Sequence, residues 1–133
     1  MTVIDASSLA KYILREDNWK TIRDYLEDEV YSLNLALVEI SNAIWKHHVL
    51  YGRISEEAVM VAFEAAKILK DIVIFESFES YLDNAMKISN DNKIPMYDAL
   101  YISQAHKYGK MITSDKLQRD IAHKMKIEVE YIE

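Results

Sequence analysis

Short apolar runs alternate along this chain with longer segments that repeat apolar residues at helical spacing. The short runs predict five strands, over residues 2–5, 30–33, 72–75, 110–113 and 127–131, and the longer segments predict seven helices, over residues 6–14, 17–28, 35–51, 55–70, 78–91, 96–108 and 116–125. Strands that alternate with helices in this way indicate a parallel sheet covered by helices on both faces. Half of the 133 residues are apolar, and no linker or internal repeat divides them, so we predict a single α/β domain over residues 1–133.

Four acidic residues lie where this pattern would gather them at one edge of the sheet. Asp5 closes the first strand, Asp115 follows the fourth, Asp98 opens the sixth helix, and Glu39 lies inside the mostly apolar third helix. Sites in parallel sheets form beyond the carboxyl ends of the strands. Carboxylates are rarely buried without a partner, and no matching set of bases accompanies these four. We therefore expect a divalent metal ion, Mg²⁺ or Mn²⁺, because hard cations take carboxylate oxygens as ligands.

Each acid also has a structural interpretation that involves no metal. Asp5 and Asp115 are each placed to cap the helix that follows, a position where Asp is preferred. Asp98 suits the first turn of its helix, where negative charge complements the helix dipole, and Glu39 could lie on a solvated edge two turns from Lys46. The four acids together are harder to explain in this way, since two unit charges about 4 Å apart repel by roughly 4 kcal/mol at an effective dielectric constant of about 20.

Four short segments that contain these acids resemble, in order and spacing, the motifs of PIN-domain ribonucleases. They are VIDAS at 3–7, VEISNA at 38–43, YDALY at 97–101 and ITSD at 112–115. The resemblance is in particular to the VapC-type toxins of toxin–antitoxin pairs, and it covers essentially the whole chain. Each motif is short, but all four in order on a domain of this length are specific.

The resemblance implies a three-layer α/β/α sandwich around a parallel sheet of about five strands. It also implies Mg²⁺- or Mn²⁺-dependent endonuclease cleavage of RNA, and a cognate antitoxin protein as partner. The acidic site that it implies, both catalytic and metal-binding, consists of Asp5, Glu39, Asp98 and Asp115. The same resemblance places the hydroxyl groups of Ser7 and Thr113 beside the metal and makes Asn42 a recurrent neighbour of the helical glutamate.

The net charge of −6 argues against a protein that coats nucleic acid by bulk attraction, but it does not exclude a nuclease. Something must hold the RNA phosphates, and the bases nearest the acids in sequence are Lys46, Lys116 and Arg119. Each of these could equally be a solvated charge on its helix. The four histidines lack the spacing of zinc ligands and the chain has no cysteine, so we expect neither a zinc site nor a disulfide.

No apolar run approaches the ~18 residues of a membrane span, and the start of the chain lacks the features of a signal peptide. We therefore expect a cytoplasmic protein that makes no membrane contact. The helix at 55–70 carries apolar residues around more than the ~100° that one packed face needs. Either it is packed on two sides or it forms a protein interface, for a dimer or for an antitoxin segment. We expect a homodimer.

The hypothesis that best fits these features is a metal-dependent endoribonuclease that acts as the toxin of a toxin–antitoxin pair. The alternative is a PIN-like module that binds RNA or a partner protein without cutting. A phosphoacceptor receiver domain of similar size is disfavoured for two reasons. Ala6 and Ser7 follow Asp5 where a second acid is required, and the last strand carries Glu130 and Tyr131 where a lysine is required.

Overall fold

The computed structural model describes residues 1–133 and contains one sheet of five strands. In chain order the strands are β1 (Thr2–Ile4), β2 (Val30–Leu33), β3 (Ile74–Glu76), β4 (Lys110–Thr113) and β5 (Glu128–Tyr131). They lie side by side in the order β3-β2-β1-β4-β5, and every neighbouring pair is parallel. The predicted parallel sheet of five strands is confirmed.

The third strand begins later than the apolar pattern predicted, at Ile74 instead of Ile72. The N–H groups of Ile72 and Val73 both donate to the carbonyl of Leu69, at 3.0 and 2.8 Å. These two residues therefore close a short 3₁₀ turn instead of pairing with β2. Periodicity alone does not distinguish an apolar turn of this kind from the start of a strand.

Seven helices connect the strands, as predicted. They are α1 (Ala6–Ile13), α2 (Trp19–Tyr25), α3 (Leu35–Trp45), α4 (Glu56–Ile68), α5 (Leu82–Asn92), α6 (Met96–Tyr108) and α7 (Lys116–Lys124). The predicted helix 35–51 is α-helical only as far as Trp45, where α3 ends. A π-helical turn over Lys46–Leu50 follows it without a break. None of the helices is long and apolar enough to span a membrane.

The helices form two layers, one on each face of the sheet. The chain runs from β1 outward to β3, then returns past β1 to β4 and β5 on the other side. Because crossovers between parallel strands are right-handed, this reversal places α1 to α4 on one face and α5 to α7 on the other. The contacts agree, since α1 packs on α2 and α3, α3 packs on α4, and α6 packs on α5 and α7. The predicted three-layer α/β/α sandwich is confirmed.

The central strand β1 and its neighbour β4 are deeply buried. Val3, Ile4, Met111 and Ile112 have no exposed surface, as expected for a parallel sheet covered on both faces. They belong to a continuous core of 30 buried apolar residues. The strand order reverses between β1 and β4, because the chain adds β2 and β3 on one side of β1 and then β4 and β5 on the other. Open α/β sheets form ligand crevices at such a point.

α4 is packed on one side only. It contacts α1 and α3, yet Ala66 is its only buried residue, and Met60, Val61 and Ile68 are each more than half exposed. The interpretation of this helix as packed on two sides is therefore wrong. Its outer side presents apolar surface that the chain itself does not cover.

Candidate active site

Asp5 and Asp115 lie at the carboxyl ends of the neighbouring strands β1 and β4. Each is also the N-cap of the helix that follows, since Asp5 accepts a hydrogen bond from the Ser8 N–H (3.1 Å) and Asp115 accepts one from the Gln118 N–H (2.9 Å). The capping interpretation is therefore correct for both residues. It does not compete with a role in a site, because a carboxylate offers about four acceptor positions and a cap uses one.

An open cleft beyond these strand ends contains the other two predicted acids. Glu39 reaches it from α3 in one helical layer, and Asp98 reaches it from the first turn of α6 in the other. Asp5 has no exposed surface and does not line the cleft, but its carboxylate accepts a hydrogen bond from Ser7, which does. The residues that line the cleft are Ala6, Ser7, Ala10, Glu39, Ala43, Asp98, Tyr101, Asp115 and Gln118.

The Asp5 carboxylate is held by the two hydroxyl groups that the resemblance placed beside the metal. The Ser7 hydroxyl lies 2.9 and 2.7 Å from the two carboxylate oxygens, and the Thr113 hydroxyl donates to Oδ2 at 2.7 Å. Burial raises the pKa of Asp5 from 3.8 to about 6 against these hydrogen bonds, and the charge of Asp115 adds to the rise. Ser7 Oγ also accepts from the Ser114 N–H (3.1 Å), and Thr113 Oγ1 accepts from the Asp115 N–H (3.0 Å). The two hydroxyls therefore join the ends of β1 and β4.

Two neutral side chains that the motifs did not single out contact the remaining acids. The Tyr101 hydroxyl donates to Glu39 Oε2 at 2.5 Å, and Gln118 Nε2 donates to Asp98 Oδ1 at 2.9 Å. Burial raises the pKa of Tyr101, and the charge of Glu39 raises it further, so the phenol keeps its proton and donates. Sequence spacing could have indicated both residues as neighbours of the site, because Tyr101 lies three residues after Asp98 and Gln118 three residues after Asp115, one turn along each helix.

The four acids are close enough to affect one another electrostatically. Burial raises the pKa of Glu39, the tyrosine hydrogen bond lowers it, and the charges of Asp5 and Asp98 raise it further. Burial also raises the pKa of Asp98, with the glutamine amide opposing and the charge of Asp115 adding to the rise. No lysine or arginine forms an ion pair with any of the four. The structure thus brings the four predicted acids together without neutralising them.

The chemistry of this donor set suits a hard divalent cation. Carboxylate oxygens without a basic partner are the ligands that Mg²⁺ and Mn²⁺ prefer. No three histidine, aspartate or glutamate side chains lie close enough together to hold one ion between them. Mg²⁺ is usually bound through one or two carboxylates and keeps several waters, so acids spread along the walls of an open cleft are compatible with it.

The two lysines expected to hold RNA phosphates do not line the cleft. Lys46 lies in the π-helical turn that follows α3, and Lys116 is the first residue of α7. Both are exposed, and neither forms an ion pair. Their positions leave them available to a ligand that extends beyond the cleft.

Arg119 and Asn42 also lie outside the cleft lining. Arg119 pairs with Asp120 (Nε–Oδ1 2.9 Å), and its guanidinium lies 4.6 Å from the centroid of the Tyr131 ring. Gln118 takes the cleft side of α7, and successive helical residues are turned about 100° apart, so Arg119 faces elsewhere. Asn42 is exposed on α3, and its side chain makes no hydrogen bond within the chain.

Comparison with known proteins gives the family. Residues 2–124 match the model of the PIN domain, and the chain belongs to the PIN-domain family. The ribonuclease VapC3 of Pyrobaculum aerophilum is 28% identical to it over 123 residues, which are 86% of this chain and 88% of that protein. The crystal structure of PAE2754 from Pyrobaculum aerophilum has a TM-score of 0.68 and 25% identity, and the match covers 96% of this chain and 81% of that one. The predicted family is confirmed, with distant homology to VapC3.

Proposed function

We propose that this protein is a Mg²⁺- or Mn²⁺-dependent endoribonuclease that hydrolyses RNA phosphodiester bonds. The observation that carries the proposal is a cleft lined by three acids, Glu39, Asp98 and Asp115. The buried Asp5 carboxylate lies close enough to raise the pKa of Glu39, and no lysine or arginine forms an ion pair with any of the four acids. Clustered carboxylates oppose folding unless a cation offsets their repulsion, so capping alone does not account for them. Membership of the PIN-domain family and homology to a protein named a ribonuclease support the same activity.

In this proposal the acids hold the cation and the hydroxyl groups hold the acids. The residues that would hold the ion are Asp5, Glu39, Asp98 and Asp115. Since no three of them lie close enough to hold it together, one or two would bind it directly and the others through its water ligands. A bound Mg²⁺ or Mn²⁺ would supply a water of lowered pKa and stabilise the negative charge that builds up on the attacked phosphate. Ser7 and Thr113 keep the buried Asp5 carboxylate in one orientation. Asn42 lies outside the cleft lining, one turn after Glu39 on α3, and would support that glutamate from there.

RNA phosphates beside the cut bond need positive charge that the cleft itself lacks. Lys46 and Lys116 are our candidates, because both are exposed and free of ion pairs. Arg119 is the weaker candidate, since Asp120 already neutralises it.

We further propose that the protein is the toxin of a toxin–antitoxin pair, with an antitoxin protein and a second copy of the chain as partners. The motif resemblance to VapC-type toxins and the homology to VapC3 support this assignment. The exposed apolar side of α4 is a surface that either partner could cover. Expression of this chain alone should arrest the growth of a bacterial host, and co-expression of a short neighbouring reading frame should restore it. Normal growth with the chain expressed and folded would count against the toxin assignment.

The activity itself is tested with purified protein, RNA, and either millimolar Mn²⁺, millimolar Mg²⁺ or excess EDTA. We expect endonucleolytic products with metal and none with EDTA. Asp98→Asn should lose the activity, whereas Asp28→Asn, which removes the same charge from an exposed residue, should keep it. Robust cleavage in EDTA would rule out the metal-dependent reaction. Binding of RNA without cleavage under every condition would support the non-catalytic alternative.

A further inference from the structure

Two acids of the cleft depend on a single neutral donor each. Glu39 accepts a side-chain hydrogen bond only from the Tyr101 hydroxyl, and Asp98 accepts one only from the Gln118 amide. Asp5, by contrast, has three donors. The orientations of the Glu39 and Asp98 carboxylates therefore depend on two neutral residues, Tyr101 and Gln118, which are not acids of the site.

Packing holds both donors in place. Tyr101 is 1% exposed and Gln118 is 5% exposed. The tyrosine hydroxyl has no other hydrogen-bond partner, and Gln118 Oε1 is buried without one. A buried amide oxygen without a partner is unfavourable, so the position is better explained by what the amide nitrogen does at Asp98.

Gln118 also connects two acids that come from different helices. Its backbone N–H donates to Asp115 Oδ1, while its side chain donates to Asp98 Oδ1. One residue thus ties the first turn of α7 to the first turn of α6 across the cleft. Tyr101 makes the equivalent link from α6 to α3, between residues 62 positions apart in the sequence.

The neutrality of these donors matters for a cation site. A lysine or arginine in the same place would orient a carboxylate but would also cancel the charge that attracts the metal. Tyr101 and Gln118 each engage one carboxylate oxygen, and Glu39 Oε1 and Asp98 Oδ2 accept no hydrogen bond from the chain. The acids are thereby oriented with their negative charge retained.

We propose that Tyr101 and Gln118 are positioning residues, which hold Glu39 and Asp98 for a divalent cation. This inference rests on the proposed function of the cleft. Groups that orient metal ligands through hydrogen bonds are typically worth 10- to 100-fold in metal affinity or activity. We therefore expect Tyr101→Phe and Gln118→Met each to raise the Kd for Mn²⁺ about 10-fold. The metal concentration for half-maximal cleavage should rise in parallel, while the KM for RNA should change little.

Tyr108→Phe is the matched control for Tyr101→Phe. Tyr108 lies on the same helix and its hydroxyl donates to a glutamate, Glu76, outside the cleft at 2.9 Å. Its removal costs a tyrosine–glutamate hydrogen bond that is part-buried like the one from Tyr101, and it should leave Mn²⁺ binding unchanged. Calorimetric titration with Mn²⁺ measures the affinities, and thermal melts in EDTA show that each variant is folded.

Double variants show whether each donor acts through its acid. In a Glu39→Gln background the effect of Tyr101→Phe on Mn²⁺ affinity should disappear, and Asp98→Asn should likewise abolish the effect of Gln118→Met. Wild-type protein that binds Mn²⁺ and cleaves RNA, with Tyr101→Phe and Gln118→Met equal to Tyr108→Phe, would overturn this inference alone. Wild-type protein that neither binds Mn²⁺ nor cleaves RNA would overturn the proposed function and this inference with it.

Discussion

Metal-free protein should become more stable when it is acidified from pH 7 to pH 5. Asp5 has no exposed surface, and burial raises its pKa from 3.8 to about 6. The folded state therefore binds this proton more tightly than the unfolded state, and stability falls as the pH rises between those two values. Since one pKa unit corresponds to about 1.4 kcal/mol, ionised Asp5 costs about 3 kcal/mol of folding free energy at pH 7.

Acidification from pH 7 to pH 5 removes part of this cost. At pH 5 folded Asp5 is mostly protonated, while the unfolded carboxyl is still mostly ionised, which returns about 1 kcal/mol. For a domain of this size that raises the melting temperature by roughly 3–5 °C. The pKa values of Glu39 and Asp98 are also raised, chiefly by burial, so both act in the same direction.

The lower limit of pH 5 excludes an opposing contribution from Glu76. Burial acts to raise its pKa, but hydrogen bonds from Gln104, Tyr81 and Tyr108 outweigh burial, and the pKa lies below its ordinary value of 4.5. A carboxyl with a lowered pKa stabilises the fold above its unfolded pKa and loses that effect only as the pH falls below it. Because pH 5 lies above the unfolded pKa of 4.5, the contribution of Glu76 changes little between pH 5 and pH 7.

The assay is a thermal melt in EDTA at constant ionic strength, followed by circular dichroism at pH 7, 6 and 5. Asp5→Asn should show a smaller rise on acidification, because the group that titrates is gone while Asn still caps α1. Asp28→Asn, which neutralises an exposed acid, should respond like the wild type. A wild-type melting temperature that stays level or falls towards pH 5 would refute the reasoning. If the melting temperature of Asp5→Asn rises as much as that of the wild type, groups other than Asp5 cause the rise.

Three further outcomes follow from the same contacts. Asp5→Asn should lower RNA cleavage at least ~10²-fold if Asp5 helps to hold the cation, and a folded, fully active variant would leave Asp5 with its cap alone. Asp98→Asn should raise the melting temperature in EDTA at pH 7 and low salt, and should reduce the stabilisation by millimolar Mn²⁺. A helix-dipole role alone predicts instead a loss of about 0.3–1 kcal/mol with or without metal. Glu76→Gln should destabilise the protein by about 1–3 kcal/mol in urea unfolding while Mn²⁺ binding stays unchanged, and weakened Mn²⁺ binding would connect Glu76 to the cleft.

The local pattern of the sequence was sufficient for the sheet and for two of the four acids. Strands and helices follow from the period of apolar residues, which each segment carries by itself. Asp5 directly follows β1, and Asp115 follows the neighbouring β4 after one residue, so parallel strand ends were enough to predict that they would meet. Their capping roles were equally local, because a cap involves only the next three residues.

Features that depend on packing between distant segments were not predictable in the same way. The apolar residues Ile72 and Val73 look like the start of a strand, but a turn takes their N–H groups. α4 has apolar residues on several sides, and only its placement at the outside of one layer shows that Met60 and Val61 are exposed. Periodicity reports that a side chain is apolar, not how many neighbours surround its helix.

The finer structure of the cleft was decided by tertiary contacts alone. The motifs contain Asp5 and Glu39 as equivalent acids, yet one is fully buried under three donors and the other lines the cleft with a single donor. Tyr101 reaches Glu39 only because α6 and α3 approach the same strand ends from opposite layers of the sandwich. The four motifs indicated which acids would gather. Which oxygen of each acid is held depends on distances between helices far apart in the chain, and those distances are set by the packing of the whole core.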